Sequence, residues 1–310
     1  MKLFKGLSAF PLTPIDAAGK LMEDTLCVFL ERIREAGADS IGLLGSTGSY
    51  AFLTREQRLH TINAAVRSIG GRTPIIVSVG ALRTNEAQAL ARDAADAGAD
   101  GLLLAPVSYT PLTQEEVFQH FKAVAETTDL PLCIYNNPNT TKFIFNDELI
   151  ARLANVKNIS AIKMPLPANR EYEGALSKLR SETPSSFVIG FSGDWGAADA
   201  LLAGADAWYS VVAGLLPEPA LALTRAAQSG GKVEAERINA AFTPLWDLFK
   251  THSSFRVMYV IADLQGLAKI APPRPILPLG TEVYEQVEAA LAHLKEIENG
   301  LKAPHLPPGI

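Results

Sequence analysis

The tetrapeptide AGAD occurs three times, at 36–39, 97–100 and 203–206, and each copy closes a helix-like pattern and opens onto a short apolar run. Glycine suits the left-handed backbone just past a helix C-terminus, where a Cβ is penalised, so each copy predicts a helix stop that feeds a strand. The runs that follow are SIGLL from Ser40, GLLLAP from Gly101 and AWYSVV from Ala207. Between and before them lie GLSAF from Gly6, PIIVSV from Pro74, PLCIY from Pro131, ISAIK from Ile159 and FVIGFS from Phe187. These runs are continuously apolar rather than alternating, as parallel strands buried on both faces should be. Their starts fall roughly 20 to 35 residues apart, the length of one strand plus a crossover helix.

The intervening segments carry helix signals. Leu26, Phe29, Leu30 and Ile33 recur at i, i+3, i+4 and i+7, one stripe of an amphipathic helix. Thr54 with Gln57, and Thr113 with Glu116, have capping-box spacing. Eight alternations of strand and helix predict an α/β fold, a closed (β/α)8 TIM barrel, over residues 1–216. A doubly wound open sheet is the alternative, but no G-x-G-x-x-G fingerprint follows the first strands. Beyond Leu216 helical patterns fill 218–266 and 281–299, split by the stiff APPRPILP. Residues 217–310 therefore read as the last barrel helix and a helical C-terminal extension.

Composition excludes several functions. Basic residues number 28 against 33 acidic ones, with no block of five or more like charges, so no nucleic-acid footprint is expected and a small-molecule partner is. The N-terminus MKLFKGLSAFPLTP lacks the apolar core of a signal peptide, and no stretch of eighteen apolar residues occurs, which predicts a cytoplasmic protein with no membrane partner. Cys27 and Cys133 both sit inside apolar patterns and read as reduced core thiols, and neither has metal-ligand spacing to another Cys or His.

A barrel carries its chemistry where its strands end. Those positions hold GSTGSY (45–50), PVSYTP (106–111), YNNPNTT (135–141), Lys163, SGDW (192–195) and YSVVAG (209–214). Lys163 is the only amine. In a partly desolvated mouth its charged form is disfavoured, and a neutral amine is a nucleophile toward a carbonyl. The resulting imine is an electron sink for C–C cleavage, C–C formation or β-elimination. Tyr135, ending the neighbouring strand, can move the protons. Ser46, Thr47 and Gly48 supply hydroxyls and backbone N–H groups for a carboxylate. Each element also has a structural alternative: Lys163 as an ion pair with Asp194, Tyr135 as a core aromatic, GSTGSY and YNNPNTT as turns, and Asp194 as the cap of a helix near Gly196. Their convergence on one rim favours the chemical reading.

GSTGS, YNNP, AIK and SGDW, in that order and at these intervals, resemble the dihydrodipicolinate synthase and N-acetylneuraminate lyase family of class I, pyruvate-type aldolases. The resemblance runs from residue 4 to about 295. It implies a homotetramer or homodimer and no metal or organic cofactor. It makes Lys163 the Schiff-base residue, Tyr135 the proton-transferring tyrosine and Ser46 with Thr47 the carboxylate-binding hydroxyls. Tyr209 aligns with a strand-eight residue that lines the ketoacid pocket. Gly48, Asn137, Thr140, Gly193 and Tyr109 complete the expected substrate contacts.

Some positions depart from the family pattern. Ser49 replaces an acidic residue, and Thr140 stands where the synthase has an arginine for its second substrate's carboxylate, a bidentate clamp no threonine can supply. A tyrosine pair after strand four aligns with Val107 and Ser108, with Tyr109 one position on. Asn136, Asn137, Asn139, Thr140 and Thr141 would make a polar, uncharged rim suited to a 2-keto-3-deoxy sugar acid. The alternatives are the family's synthase reaction, dehydration or deamination through the same imine, and a non-catalytic ligand-binding homologue.

Overall fold

The structure, a computed structural model, describes residues 3–302. Eight parallel strands close into a barrel in sequence order. In chain order the elements are β1 (Gly6–Ala9), α1 (Glu23–Ala36), β2 (Ser40–Leu43), α2 (Arg55–Ile69), β3 (Ile75–Ser78), α3 (Thr84–Ala97), β4 (Gly101–Leu104) and α4 (Gln114–Ala125). They continue with β5 (Leu132–Tyr135), the short α5 (Pro138–Thr141), α6 (Asp147–Ala154), β6 (Ile159–Met164), α7 (Tyr172–Glu182), β7 (Val188–Phe191), α8 (Ala197–Leu202) and β8 (Ala207–Ser210). Helix α9 (Pro217–Gln228) packs on α1 and α8 and completes the ring. Helices α10 (Lys232–His252), α11 (Ser254–Leu264) and α12 (Thr281–Lys302) form the extension, with α12 against α10, α11 and α9.

The continuous apolarity of the strands has a direct cause. Successive side chains point to opposite faces, and here both faces are cores. Leu102, Leu104, Leu132, Ile134, Ile162 and Ile189 join the layer between barrel and helices. Their neighbours Leu103, Cys133, Tyr135, Ala161 and Val188 fill the barrel interior. Cys133 is fully buried there, whereas Cys27, expected in the core, is only half-buried on α1.

Each AGAD copy makes the same junction. Gly37, Gly98 and Gly204 all have left-handed backbone, at φ 87°, 94° and 95°. The aspartate then clamps the preceding strand. Asp39, Asp100 and Asp206 donate their backbone N–H to the carbonyls of Leu7, Ile75 and Ile189, and their carboxylates accept the N–H of those same residues at 2.7, 2.8 and 3.0 Å. Both expected capping boxes form, at Thr54 with Gln57 and Thr113 with Glu116.

Candidate active site

Strand register brings the central residues together. In the β5–β6 pair Tyr135 lies opposite Lys163, and in the β6–β7 pair Lys163 lies opposite Gly190. Lys163 is thus flanked by an aromatic on one side and by no side chain on the other. It shares the inner face with Ala161, two residues before, and is 4 % exposed. Its Nζ sits 3.9 Å from the ring centroid of Phe10, 4.4 Å from that of Tyr135 and 5.7 Å from that of Tyr209. Phe10, just past β1, was not singled out in the sequence, since nothing there marks which core aromatic lies beneath the lysine. Its ring occupies space that Gly42 and Gly45 leave open; a Cβ on Gly45 would meet the ring at 2.6 Å, and one on Gly42 closer still.

The Tyr135 hydroxyl lies 3.3 Å from Ser46 Oγ and accepts a hydrogen bond from Asn137 Nδ2 at 2.9 Å. Asn137, expected to touch substrate, thus also orients the tyrosine. The turn 45–48 supplies the third part. Among the described residues the backbone N–H groups of Ser46, Thr47 and Gly48 make no backbone hydrogen bond, the arrangement that receives a carboxylate. The left-handed positions that shape this turn are Leu44 and Ser49, both at φ 58°, and not the glycines. Gly48 is there for close approach: its Cβ would meet Leu44 Cα at 3.0 Å, and its carbonyl accepts from Thr13 Oγ1 at 2.8 Å.

A cavity of about 510 Å³ opens above these groups, lined by Ser46, Thr47, Tyr135, Asn137, Asn139, Thr140, Lys163 and Gly193, among others. Ser253, Ser254 and Phe255 reach it from the junction of α10 and α11, so the extension helps to wall the site. A smaller lobe of about 350 Å³ adjoins it and shares Ser46, Thr140, Ser253 and Phe255.

Several expectations are corrected. Tyr209 does not line this cavity: it is fully buried beneath Lys163, its hydroxyl turned down to Cys133 Sγ at 3.6 Å and the Phe4 carbonyl at 3.4 Å. Burial raises its pKa well above the usual phenol value. Gly48 contributes no surface to the cavity. Tyr109 lies outside both lobes at 96 % exposed, because the chain turns sharply at Val107, whose N–H bonds the Ala105 carbonyl; Val107 and Ser108 line the smaller lobe. Asn136 is buried with Nδ2 on Met164 Sδ, and Thr141 faces the smaller lobe. Ser49 is buried with Oγ 3.4 Å from the Tyr259 hydroxyl.

Asp194 does not cap the helix near Gly196, and no hydrogen bond joins it to Lys163 among the described residues. Its Oδ1 accepts from Trp208 Nε1 at 3.0 Å and from the Val211 N–H at 3.1 Å, and its Oδ2 accepts from the Val212 N–H at 2.7 Å. Burial raises its pKa, opposed by these donors and by the charge of Lys163. It ties the β7 turn to the end of β8. The expected uncharged rim is also incomplete: Arg170, on the loop after β6, lines the Lys163 cavity. No sequence signal marked it, because its place follows from a turn six residues past the strand.

Residues 3–294 match the Dihydrodipicolinate synthetase family. The chain belongs to that family. It is 33% identical over 284 residues to the 4-hydroxy-tetrahydrodipicolinate synthase of Pseudomonas putida strain W619, covering 90% of this chain and 94% of that one. A crystal structure of dihydrodipicolinate synthase from Agrobacterium tumefaciens C58 superposes with a TM-score of 0.93 at 57% identity, over 94% of this chain and 98% of that one. A variant described as the first monomeric dihydrodipicolinate synthase superposes at 0.87 with 25% identity, over 95% and 98%. The protein is therefore a lyase of the class I aldolase type, acting on small molecules through a lysine Schiff base. No helix among the described residues is long and apolar enough to cross a membrane, and none of their His, Cys, Asp and Glu side chains cluster in threes as metal ligands.

Proposed function

We propose that Lys163 is the Schiff-base lysine and that the enzyme makes or breaks a carbon–carbon bond in a 2-oxo acid, with 2-keto-3-deoxy sugar acids as the substrate class. The observation that carries this reading is the amine of Lys163: buried among the rings of Phe10, Tyr135 and Tyr209, with no ion pair to a carboxylate among the described residues. An amine not held by an anion can attack the C2 carbonyl, and loss of water leaves a protonated imine. As the C3–C4 bond breaks, its electron pair moves into the imine to form an enamine, while a base takes the proton of the C4 hydroxyl. Protonation at C3 and hydrolysis then release pyruvate and an aldehyde. Tyr135 takes and returns these protons, with Ser46 as the next oxygen and Asn137 donating to the phenol oxygen. Ser46 and Thr47 receive the 2-oxo carboxylate.

The names of the relatives make 4-hydroxy-tetrahydrodipicolinate synthase the second reading; the neutral hydrogen-bonding side chains of Asn137, Asn139 and Thr140 along the cavity suit a hydroxylated tail and favour the first. Incubation with pyruvate and borohydride, followed by peptide mapping, is expected to put a reduced-pyruvate adduct on the Lys163 peptide and none on Lys163→Ala. An unmodified wild-type protein would sink the assignment. Pyruvate release from a panel of 2-keto-3-deoxy acids, against condensation with aspartate semialdehyde, then separates the two readings.

The chain also fits a homodimer or homotetramer. Phe52, Leu82 and Tyr109, at 47 %, 62 % and 96 % exposed, follow the adjacent strands β2, β3 and β4 on the rim. A second copy covering it explains their exposure. Sedimentation at monomer mass across micromolar concentrations would count against this. The free thiols of Cys27 and Cys133 suit a cytoplasmic setting.

A further inference from the structure

The cavity around Lys163 has an unbalanced charge. Its charged lining residues are Lys163, Arg170 and Asp194. Asp194 is buried with both oxygens engaged by Trp208, Val211 and Val212, so it offers nothing to a ligand. Among the described residues the Arg170 guanidinium has no ion pair and no hydrogen bond. Other surface arginines are held, as Arg55 grips Asp93, Arg152 grips Glu115 and Arg225 grips Asp39; Arg92 and Arg274, like Arg170, have no such partner among the described residues, but neither lines this cavity. An unpaired guanidinium opening onto the same cavity as a lysine is a place for an anion.

The loop that presents Arg170 is built. Pro165 and Pro167 stiffen it, and both line the cavity with Leu166. Leu166 packs so closely on the β7 turn that a Cβ at Gly193 would meet it at 2.9 Å. Arg170 itself has left-handed backbone, φ 59°, held by its N–H on the Pro167 carbonyl and by the Tyr172 N–H on its own carbonyl, each at 3.0 Å. The Asn169 side chain closes the turn on the Glu171 N–H at 3.1 Å.

We infer that Arg170 binds a second anionic group of the substrate, at the end distal to the 2-oxo carboxylate, and so selects substrates whose aldehyde half carries a carboxylate. The inference rests on the Schiff-base reading of Lys163 and deepens it. One carboxylate sits at the Ser46–Gly48 turn and the other is gripped by Arg170 from the β6–α7 side. Thr140 lacks the cation expected across the cavity, and Arg170 supplies one from a different strand end. Arg256 is likewise unpaired among the described residues, but it lines only the smaller lobe, away from the amine.

The test uses a matched pair of six-carbon 2-oxo-3-deoxy acids that differ only at C6, one ending in a carboxylate and the other in a hydroxymethyl group. Pyruvate release is followed with wild type, Arg170→Met, Arg170→Lys and Arg256→Met. Wild type is expected to favour the diacid in kcat/KM by about 100-fold, the value of a charge-assisted clamp. Arg170→Met removes most of that preference through KM, leaves the monoacid within about threefold, and leaves pyruvate–borohydride labelling of Lys163 intact. Arg170→Lys restores part of the preference, since it keeps the charge and loses the fork. A wild-type preference for the monoacid, equal losses on both acids in Arg170→Met, or loss of the preference only in Arg256→Met would each overturn the inference. If neither acid is cleaved, calorimetric titration of both into Lys163→Ala, with and without Arg170→Met, decides by the same ratio. Failure of labelling at Lys163 would instead strike the Schiff-base assignment, leaving the binding ratio to speak for Arg170.

Discussion

Ser46 Oγ lies 3.3 Å from the Tyr135 hydroxyl, although 89 residues separate them in the chain. Asn137 donates to the same phenol oxygen, so when the phenol proton points at Ser46 or at substrate, the oxygen remains hydrogen-bonded. The Lys163 amine over the Tyr135 ring completes a group that can pass a proton beside a forming imine.

Removing that hydroxyl should slow turnover without unfolding the barrel. Tyr135→Phe keeps the ring beside Lys163 and is expected to lower kcat by about 100- to 10,000-fold, the usual contribution of a positioned acid–base group. Ser46→Ala should cost less, about tenfold, because Asn137 still holds the tyrosine. Steady-state kinetics with circular dichroism controls checks both. Wild-type turnover in Tyr135→Phe would remove the tyrosine from the chemistry.

Asp194 predicts an unusual equivalence between two substitutions. Asp194→Ala strands two buried N–H donors, of Trp208 and Val212, and the half-buried one of Val211, and should cost about 3 kcal/mol. Asp194→Asn is expected to be nearly as harmful, since its amide nitrogen can accept nothing and would face either the Val212 N–H or the Trp208 and Val211 donors. Urea unfolding of the two variants tests this, and a near-neutral asparagine variant would contradict it.

The floor under Lys163 depends on glycines. Gly42→Ala would drive a methyl group into the Phe10 ring, moving the surface on which the amine rests. Overpacking of this kind costs about 1–3 kcal/mol, and imine formation should slow in step. Phe10→Leu combined with Gly42→Ala should recover more stability than activity. Full activity in Gly42→Ala would show that the floor is not needed.

His120 sets an acid limit. It is buried on α4, its Nδ1 2.9 Å from Thr84 Oγ1 and its Nε2 without a partner among the described residues, and burial lowers its pKa below 6.5. As pH falls through 6.5 the unfolded chain takes up the proton first, so stability present above that pH is lost on acidification. His120→Gln should flatten the dependence of the urea midpoint on pH below 6.5. An unchanged slope would assign the acid sensitivity elsewhere.

The sequence by itself determined the barrel, because parallel strands buried on two faces must be apolar throughout and because each helix-to-strand junction repeats one solution. It marked Lys163, Tyr135, Ser46 and Thr47, since those residues end strands and strand ends are where a barrel opens. It carried AGAD in plain view but not the reason for its aspartate, whose partner is an N–H at the start of the neighbouring strand and is visible only once register is known. Tertiary structure alone decided that Phe10 lies under the amine, that Tyr209 points down, that Asp194 ties two strand ends together and that Arg170 enters the cavity. Each of these depends on which way a side chain leaves a turn or on contact between distant segments. Periodicity records only whether a position is buried, and barrel closure chooses its neighbours.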